Sequence, residues 1–178
     1  MADIRSTSHG LPVIAPLPAW ADPWRNPDLF RGIVAKRVIA YLIDMVAVGL
    51  TVVAVWIGLG LLTLATFGLL WPVQALAVTL VPLAYHSLLI SSSRAATLGM
   101  RAVGIRVASV SPLADPNSGR PTLFQAMIQT VAFYGSMAAT GSLVLVVALF
   151  NPRRRTLHDW LAGTVVVNDL GRWHSSPV

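Results

Sequence analysis

The chain has 178 residues, of which 55% are hydrophobic and only 11% are charged, and its formal net charge is +6. Because a soluble domain carries about 25% charged residues, this composition excludes an ordinary water-soluble globule and indicates an integral membrane protein. The chain contains no cysteine, which excludes disulfides, thiolate metal sites and cysteine nucleophiles. On so apolar a chain, the net positive charge indicates contact with anionic lipid headgroups rather than with nucleic acid.

The N-terminal residues 1–25 contain several prolines and no apolar run, so we predict a disordered arm there and not a signal peptide. We place the membrane domain at 26–170 and a short tail at 171–178. Asn26, Pro27 and Asp28 are typical of a helix start, which predicts an interfacial helix from Pro27 to Lys36.

No charged residue occurs between Met45 and Ser93, a run of 49 residues. As one helix this run would be about 74 Å long, more than twice the thickness of a bilayer core of about 30 Å. We therefore predict two membrane spans, at about 34–62 and 72–90, joined by a short connection.

A second charge-free run, from Pro121 to Pro152, has 32 residues and predicts a third apolar segment at about 123–150. At about 48 Å of helix it is long for one span and short for two. It is therefore either one tilted helix or a re-entrant hairpin that turns near Gly141. The positive-inside rule places the basic N-terminal segment, middle loop and C-terminal tail all in the cytoplasm, which favours the hairpin.

Two short stretches alternate in the manner of β-strands. In Val103–Val110 the apolar Ile105 and Val107 alternate with Arg106, and a second stretch is Thr164–Asn168. We predict that the two stretches pair as a small cytoplasmic β ribbon. The expected fold class is an all-α integral membrane protein with two transmembrane helices, a third helix or re-entrant helical hairpin, and this ribbon.

Asp44 is the one charged residue that lies well inside a predicted span, where an acid costs about 2.5–3.5 kcal/mol to insert. Arg37 precedes it by seven positions on nearly the same helix face, about 10 Å away along the axis. Antiparallel packing of the two spans is expected to place His86 at a similar depth. Two interpretations stay open, an ion or proton site formed by Asp44 and His86, or a structural contact in which His86 bonds a backbone carbonyl.

A second cluster of charged residues follows the third apolar segment. Within this cluster, Asp159 is expected to cap a helical turn or to pair with an arginine. The candidate ion, proton or structural polar network comprises Arg37, Asp44, His86 and Asp159. The arginines expected at the cytoplasmic basic edge are Arg101, Arg106, Arg153, Arg154 and Arg155. The histidines lack paired ligand spacing and no catalytic or nucleotide-binding motif occurs. We therefore expect no metal, cofactor, enzymatic activity or nucleic-acid partner.

Three motifs, in this order, resemble the RDD family of membrane proteins, which is named for one arginine and two aspartates. Arg37–Asp44 is similar to the family's opening Arg and first Asp, Thr97–Val107 to its central motif, and Arg155–Val167 to the closing motif that carries the second Asp. Two positions depart from the pattern, since Met100 stands where Lys is common and Gln129 where a basic residue is common. The resemblance covers about residues 30–168 and implies a bacterial inner-membrane protein. Some members of the family look like sodium/proton antiporters.

Two functions from different classes are consistent with the sequence. The first is a small transporter or ion/proton exchanger in which Asp44 is the intramembrane carboxylate. The alternative is a non-transporting accessory or assembly protein of a larger membrane complex. In either case we expect a multi-pass protein of the bacterial inner membrane with a cytoplasmic N-terminus, contact with anionic lipid headgroups, and a homo-oligomer or a partner membrane protein.

Overall fold

A computed structural model describes residues 21–111, 119–140 and 156–170. After a 3-10 turn at Pro27–Leu29, the elements in chain order are α1 (Ile33–Ala65), α2 (Trp71–Ile90), α3 (Leu98–Ala102), β1 (Ile105–Ser109), α4 (Leu123–Thr140), α5 (Leu157–Leu161) and β2 (Thr164–Asn168). The long helices form a small bundle, and the two strands and two short helices gather at one end of it. We call this the ribbon end.

The helices α1 and α2 form an antiparallel pair and confirm the two predicted apolar helices. At 33 and 20 residues they are about 50 and 30 Å long. Phe67 (φ 51°) and Gly68 (φ 88°) adopt left-handed backbone conformations that end α1, and Pro72 stands in the first turn of α2, where it needs no N–H. Within the described part of the chain, two segments are long and apolar enough to cross a membrane, Pro27–Ala65 and Trp71–Ile90.

The start of α1 differs from the predicted helix over Pro27–Lys36. A 3-10 turn comes first, and Gly32 then adopts a left-handed conformation (φ 66°), so the α-helix begins only at Ile33. Asn26 makes no side-chain capping bond to this turn. Of the predicted N-terminal arm, residues 1–20 lie outside the described part of the chain, whereas Ala21 is buried.

The predicted pairing of the two strands is confirmed. β1 and β2 pair antiparallel with Ile105 opposite Asn168 and Val107 opposite Val166. The alternation places Ile105, Val107 and Val166 against the helices, while Ala108 and its neighbours on β2 pack on Leu29 and Phe30. Both strands are buried along their whole length, so the ribbon forms part of the core.

Helix α4 carries the chain away from the ribbon end, and α5 stands at that end again. Near the start of α4, Gln125 donates to Ser109 Oγ (2.9 Å) and to the carbonyl of Ala162 (3.3 Å). One turn later, Gln129 Nε2 donates to Asp159 in α5 (3.0 Å). The predicted choice between a hairpin and one tilted helix through 123–150 falls on 141–155, which lie outside the described residues.

The short helix α3 packs against α1 closely enough to require glycine at position 99. A Cβ atom there would overlap the carbonyl oxygen of Ala40 and lie 2.9 Å from Cγ of Asp44. Gly99 therefore allows the backbone of α3 to approach the carboxylate of Asp44.

We predict that Gly99→Ala destabilises the protein by about 1–3 kcal/mol, because backbone atoms have to move apart to admit the methyl group. The measurement is thermal unfolding of the detergent-purified protein. Gly58→Ala on α1 is the matched control, since an added Cβ there meets nothing within 4 Å and alanine favours the helix. Equal unfolding temperatures for the two variants would show that α3 does not approach α1 so closely.

Candidate functional site

Asp44 joins three helices through its carboxylate. Its side chain is almost fully buried, and it accepts hydrogen bonds from Thr97 Oγ1 (2.5 Å), Gly99 N (2.8 Å) and Tyr85 OH (2.8 Å). Thr97 Oγ1 also accepts from Met100 N and so caps α3. Among the described residues, no Arg, Lys or His nitrogen is close enough to form an ion pair with Asp44. The three hydrogen bonds to its carboxylate therefore come from neutral donors.

Arg37 and Asp159 form a buried ion pair that connects the beginning of α1 to α5. Arg37 Nη1 lies 2.5 Å from Asp159 Oδ2, and the Asp159 side chain is 1% exposed. The same carboxylate accepts from Gln129 Nε2 (3.0 Å) and from Thr156 N (3.1 Å). Asp159 thus both accepts from the backbone at the start of α5 and pairs with an arginine, so the two expected roles occur together.

His86 does not make the predicted pair with Asp44. Its Nδ1 lies 3.0 Å from the carbonyl of Pro82 and 3.2 Å from Tyr134 OH, which agrees with the alternative of a bonded carbonyl. The neighbouring Tyr85 reaches Asp44 in its place. Successive residues of a helix point about 100° apart, so only one of the two adjacent side chains can face α1 directly.

The predicted polar residues nevertheless surround one cavity of about 80 Å³ between α1, α2, α4 and α5. All four members of the predicted network line it, namely Arg37, Asp44, His86 and Asp159. Phe133 and Tyr41 form an aromatic wall, with ring centroids 5.8 Å apart. Apolar side chains such as Ile90 and Met100 make up much of the remainder.

The formal charges of the residues that line the cavity sum to a negative value. Arg37 contributes one positive charge and Asp44 and Asp159 one negative charge each, which gives −1 when the histidines are neutral. Burial lowers the pKa of His158. The negative charge of Asp159 raises this pKa and the positive charge of Arg37 lowers it further, so His158, which lines the cavity, is neutral at pH 7. Gln129 also lines the cavity and adds no charge.

Sequence reasoning did not find the neutral side chains that hold the two carboxylates. Tyr85 and Thr97 carry no local signal, since their partner is distant in the chain. Gln129 had a usable signal, because it lies four residues after Gln125 in a charge-free helix and so shares a face with it. Two amides on one face of an apolar helix indicate buried polar partners.

The predicted basic edge is described only in part. Arg101 donates from Nε to the carbonyl of Ala96 (2.9 Å) and from Nη2 to Ser92 Oγ (3.3 Å), which ties the loop before α3 to that helix. Arg106 lies in β1 with little exposed surface, and burial lowers the pKa of its guanidinium, against the attraction of Asp169. The other three residues, Arg153–Arg155, lie outside the described part of the chain.

Two long apolar helices beside a buried charged cluster are features of an integral membrane protein. The chain belongs to the RDD family, because the model of that family matches residues 31–163. The match confirms the resemblance seen in the sequence and includes Arg37, Asp44 and Asp159. No curated protein and no solved structure gives a significant match.

We predict that Asp159→Asn destabilises the protein by about 3–5 kcal/mol, because it leaves the Arg37 charge buried without its partner. Adding Arg37→Met to that variant is expected to restore part of the loss, since both charges are then absent. Unfolding of the four proteins of this double-mutant cycle in detergent measures the coupling. Strictly additive losses would contradict the ion pair.

We predict that acidification destabilises the fold in two steps. Burial lowers the pKa of His158 from 6.5. Burial raises the pKa of Asp159, but the charges of Arg37 and His158 and the hydrogen bonds from Thr156 and Arg37 together outweigh burial, so the pKa lies below the ordinary 3.8. Both groups bind protons more weakly in the folded state than in the unfolded state. Their contribution to the free energy of unfolding is therefore complete at neutral pH and is lost as the pH falls, first below 6.5 for His158 and then below 3.8 for Asp159.

The measurement is the unfolding temperature in detergent as a function of pH. His158→Asn removes one titrating group, so its unfolding temperature is expected to fall less from about pH 7 to about pH 5 than that of the wild type. A wild-type profile that is flat over this range would contradict the assignment.

Proposed function

We propose that this RDD-family protein is a small membrane transporter that exchanges protons for a cation through the cavity beside Asp44. The observation that carries the proposal is the state of Asp44, a buried carboxylate in an apolar helix without an ion-pair partner among the described residues. A buried charge of this kind is expensive in a membrane and is a functional site by default.

The hydrogen bonds of Asp44 supply a way to couple ion binding to a change of structure. Its carboxylate holds Tyr85 of α2 and the first residues of α3, Thr97 and Gly99. Because charged acceptors bind donors more strongly than neutral ones, a proton on Asp44 weakens these bonds and loosens α3 from α1. A cation that replaces the proton restores the charge of the carboxylate and with it the three bonds.

The same proposal extends to orientation and location. The described basic residues near the helix ends, including Arg31, Lys36, Arg94 and Arg101, belong to segments at the ribbon end, whereas the connection between α1 and α2 has no charge. The positive-inside rule then assigns the ribbon end and the N-terminus to the cytoplasm of a bacterial inner membrane. Three helices enclose little space for an ion path, so we further propose a homo-oligomer among anionic lipids.

The test is proton flux in proteoliposomes that contain a pH-sensitive dye, driven by gradients of several monovalent cations. We expect cation-dependent flux for the wild type and none for Asp44→Asn, because the variant lacks the carboxylate that alternately binds the two ions. Asp28→Asn is the matched control, since Asp28 is exposed outside the cavity, and it is expected to keep the wild-type flux.

Asp44→Asn also removes the acceptor that holds α3, so a second variant guards against misfolding. Tyr85→Phe deletes one donor to Asp44 and leaves the other two, and we expect active protein whose flux has a shifted pH optimum. Wild-type flux no higher than that of protein-free vesicles, or full flux in Asp44→Asn, would refute the proposal.

A further inference from the structure

Building on the proposed exchange function, we propose that the cation taken by the cavity is a small alkylammonium ion and not a bare metal ion. The charge of the cavity is the first argument. Arg37 is already paired with Asp159, so the remaining charge is that of Asp44. A monovalent cation neutralises this charge, whereas an anion would add to it in a site of low dielectric constant.

The hydrogen bonds of the two carboxylates argue against a bare metal ion. Asp44 accepts from three donors, and Asp159 accepts from Gln129, Thr156 and Arg37. Hard metal cations need several oxygen ligands around them, so binding one here would require donors to leave both carboxylates. An alkylammonium ion donates its own N–H and needs only one acceptor and the nearby charge.

The walls of the cavity fit the apolar part of such an ion. Phe133 lies at the centre of an aromatic group, with ring centroids 5.8 Å from Tyr41, 6.3 Å from His86 and 5.2 Å from His158. All four rings line the cavity. Aromatic faces attract ammonium groups through their quadrupole and also cover methyl groups. A hydrated metal ion has no methyl groups to cover.

The volume sets the size of the ion. A cavity of about 150 Å³ holds one benzene molecule, so a cavity of about 80 Å³ holds a cation of about three non-hydrogen atoms. Dimethylammonium has this size and carries one positive charge. Tetraethylammonium has the same charge but is too large for the cavity.

The experiment is calorimetric titration of the detergent-purified full chain with dimethylammonium chloride, with sodium chloride and tetraethylammonium chloride as comparisons. We expect saturable binding of dimethylammonium alone. Phe133→Leu is expected to weaken binding about 2- to 30-fold through loss of the aromatic face. Gln129→Lys is expected to weaken it about tenfold or more, because the added charge neutralises the cavity while the lysine can still donate to Asp159.

Phe124→Leu is the matched control, because Phe124 lies on the same helix with its side chain 67% exposed, and its affinity is expected to equal that of the wild type. Saturable binding of sodium without binding of dimethylammonium would overturn the inference. Dimethylammonium binding that neither Phe133→Leu nor Gln129→Lys weakens would overturn it as well, because the ion would then bind elsewhere.

The two proposals fail in distinguishable ways. If dimethylammonium binds with the expected variant pattern but proteoliposomes show no flux, the exchange function is wrong and the alkylammonium site stands. If sodium drives flux that depends on Asp44 while dimethylammonium neither binds nor moves, the exchange function stands and the alkylammonium site is wrong.

Discussion

The buried ion pair between Arg37 and Asp159 is the interaction on which the rest of the structure depends. It joins the beginning of the first long helix to a short helix near the other end of the family match, and so it fixes the return of the chain that lets β2 pair with β1. Removing two charges from water is expensive, and the pair is tolerated because Gln129 and Thr156 also bond the carboxylate. These bonds define one side of the cavity.

Asp44 defines the other side under a different rule. Its three donors are neutral. They fix the position of the carboxylate but do not compensate its charge. A purely structural contact needs no such charge, since an amide at this position could hold some of the same donors. The excess charge is therefore the feature that favours ion exchange. The alternative function, a non-transporting accessory protein of a larger membrane complex, stays a prediction.

The parts of the fold that depend on local pattern were predictable from sequence. The charge-free runs gave the long helices to within a few residues, and the alternation around Ile105 gave the ribbon but not the burial of Arg106. Asp44 was recognisable because a lone acid in an apolar run is costly. The partners were not predictable, since the choice of Tyr85 over His86 depends on helix rotation and the contact of Gln129 with Asp159 depends on the path of the whole chain.

The central claim is that Asp44 releases a proton when the cavity takes a cation. The most direct test is calorimetric titration with dimethylammonium in buffers of different ionisation enthalpy, which counts the protons released per bound ion. We expect the wild type to release protons on binding the cation, up to about one per cation as the pH is lowered, and Asp44→Asn to release none. Cation binding to the wild type without proton release at any pH would contradict it.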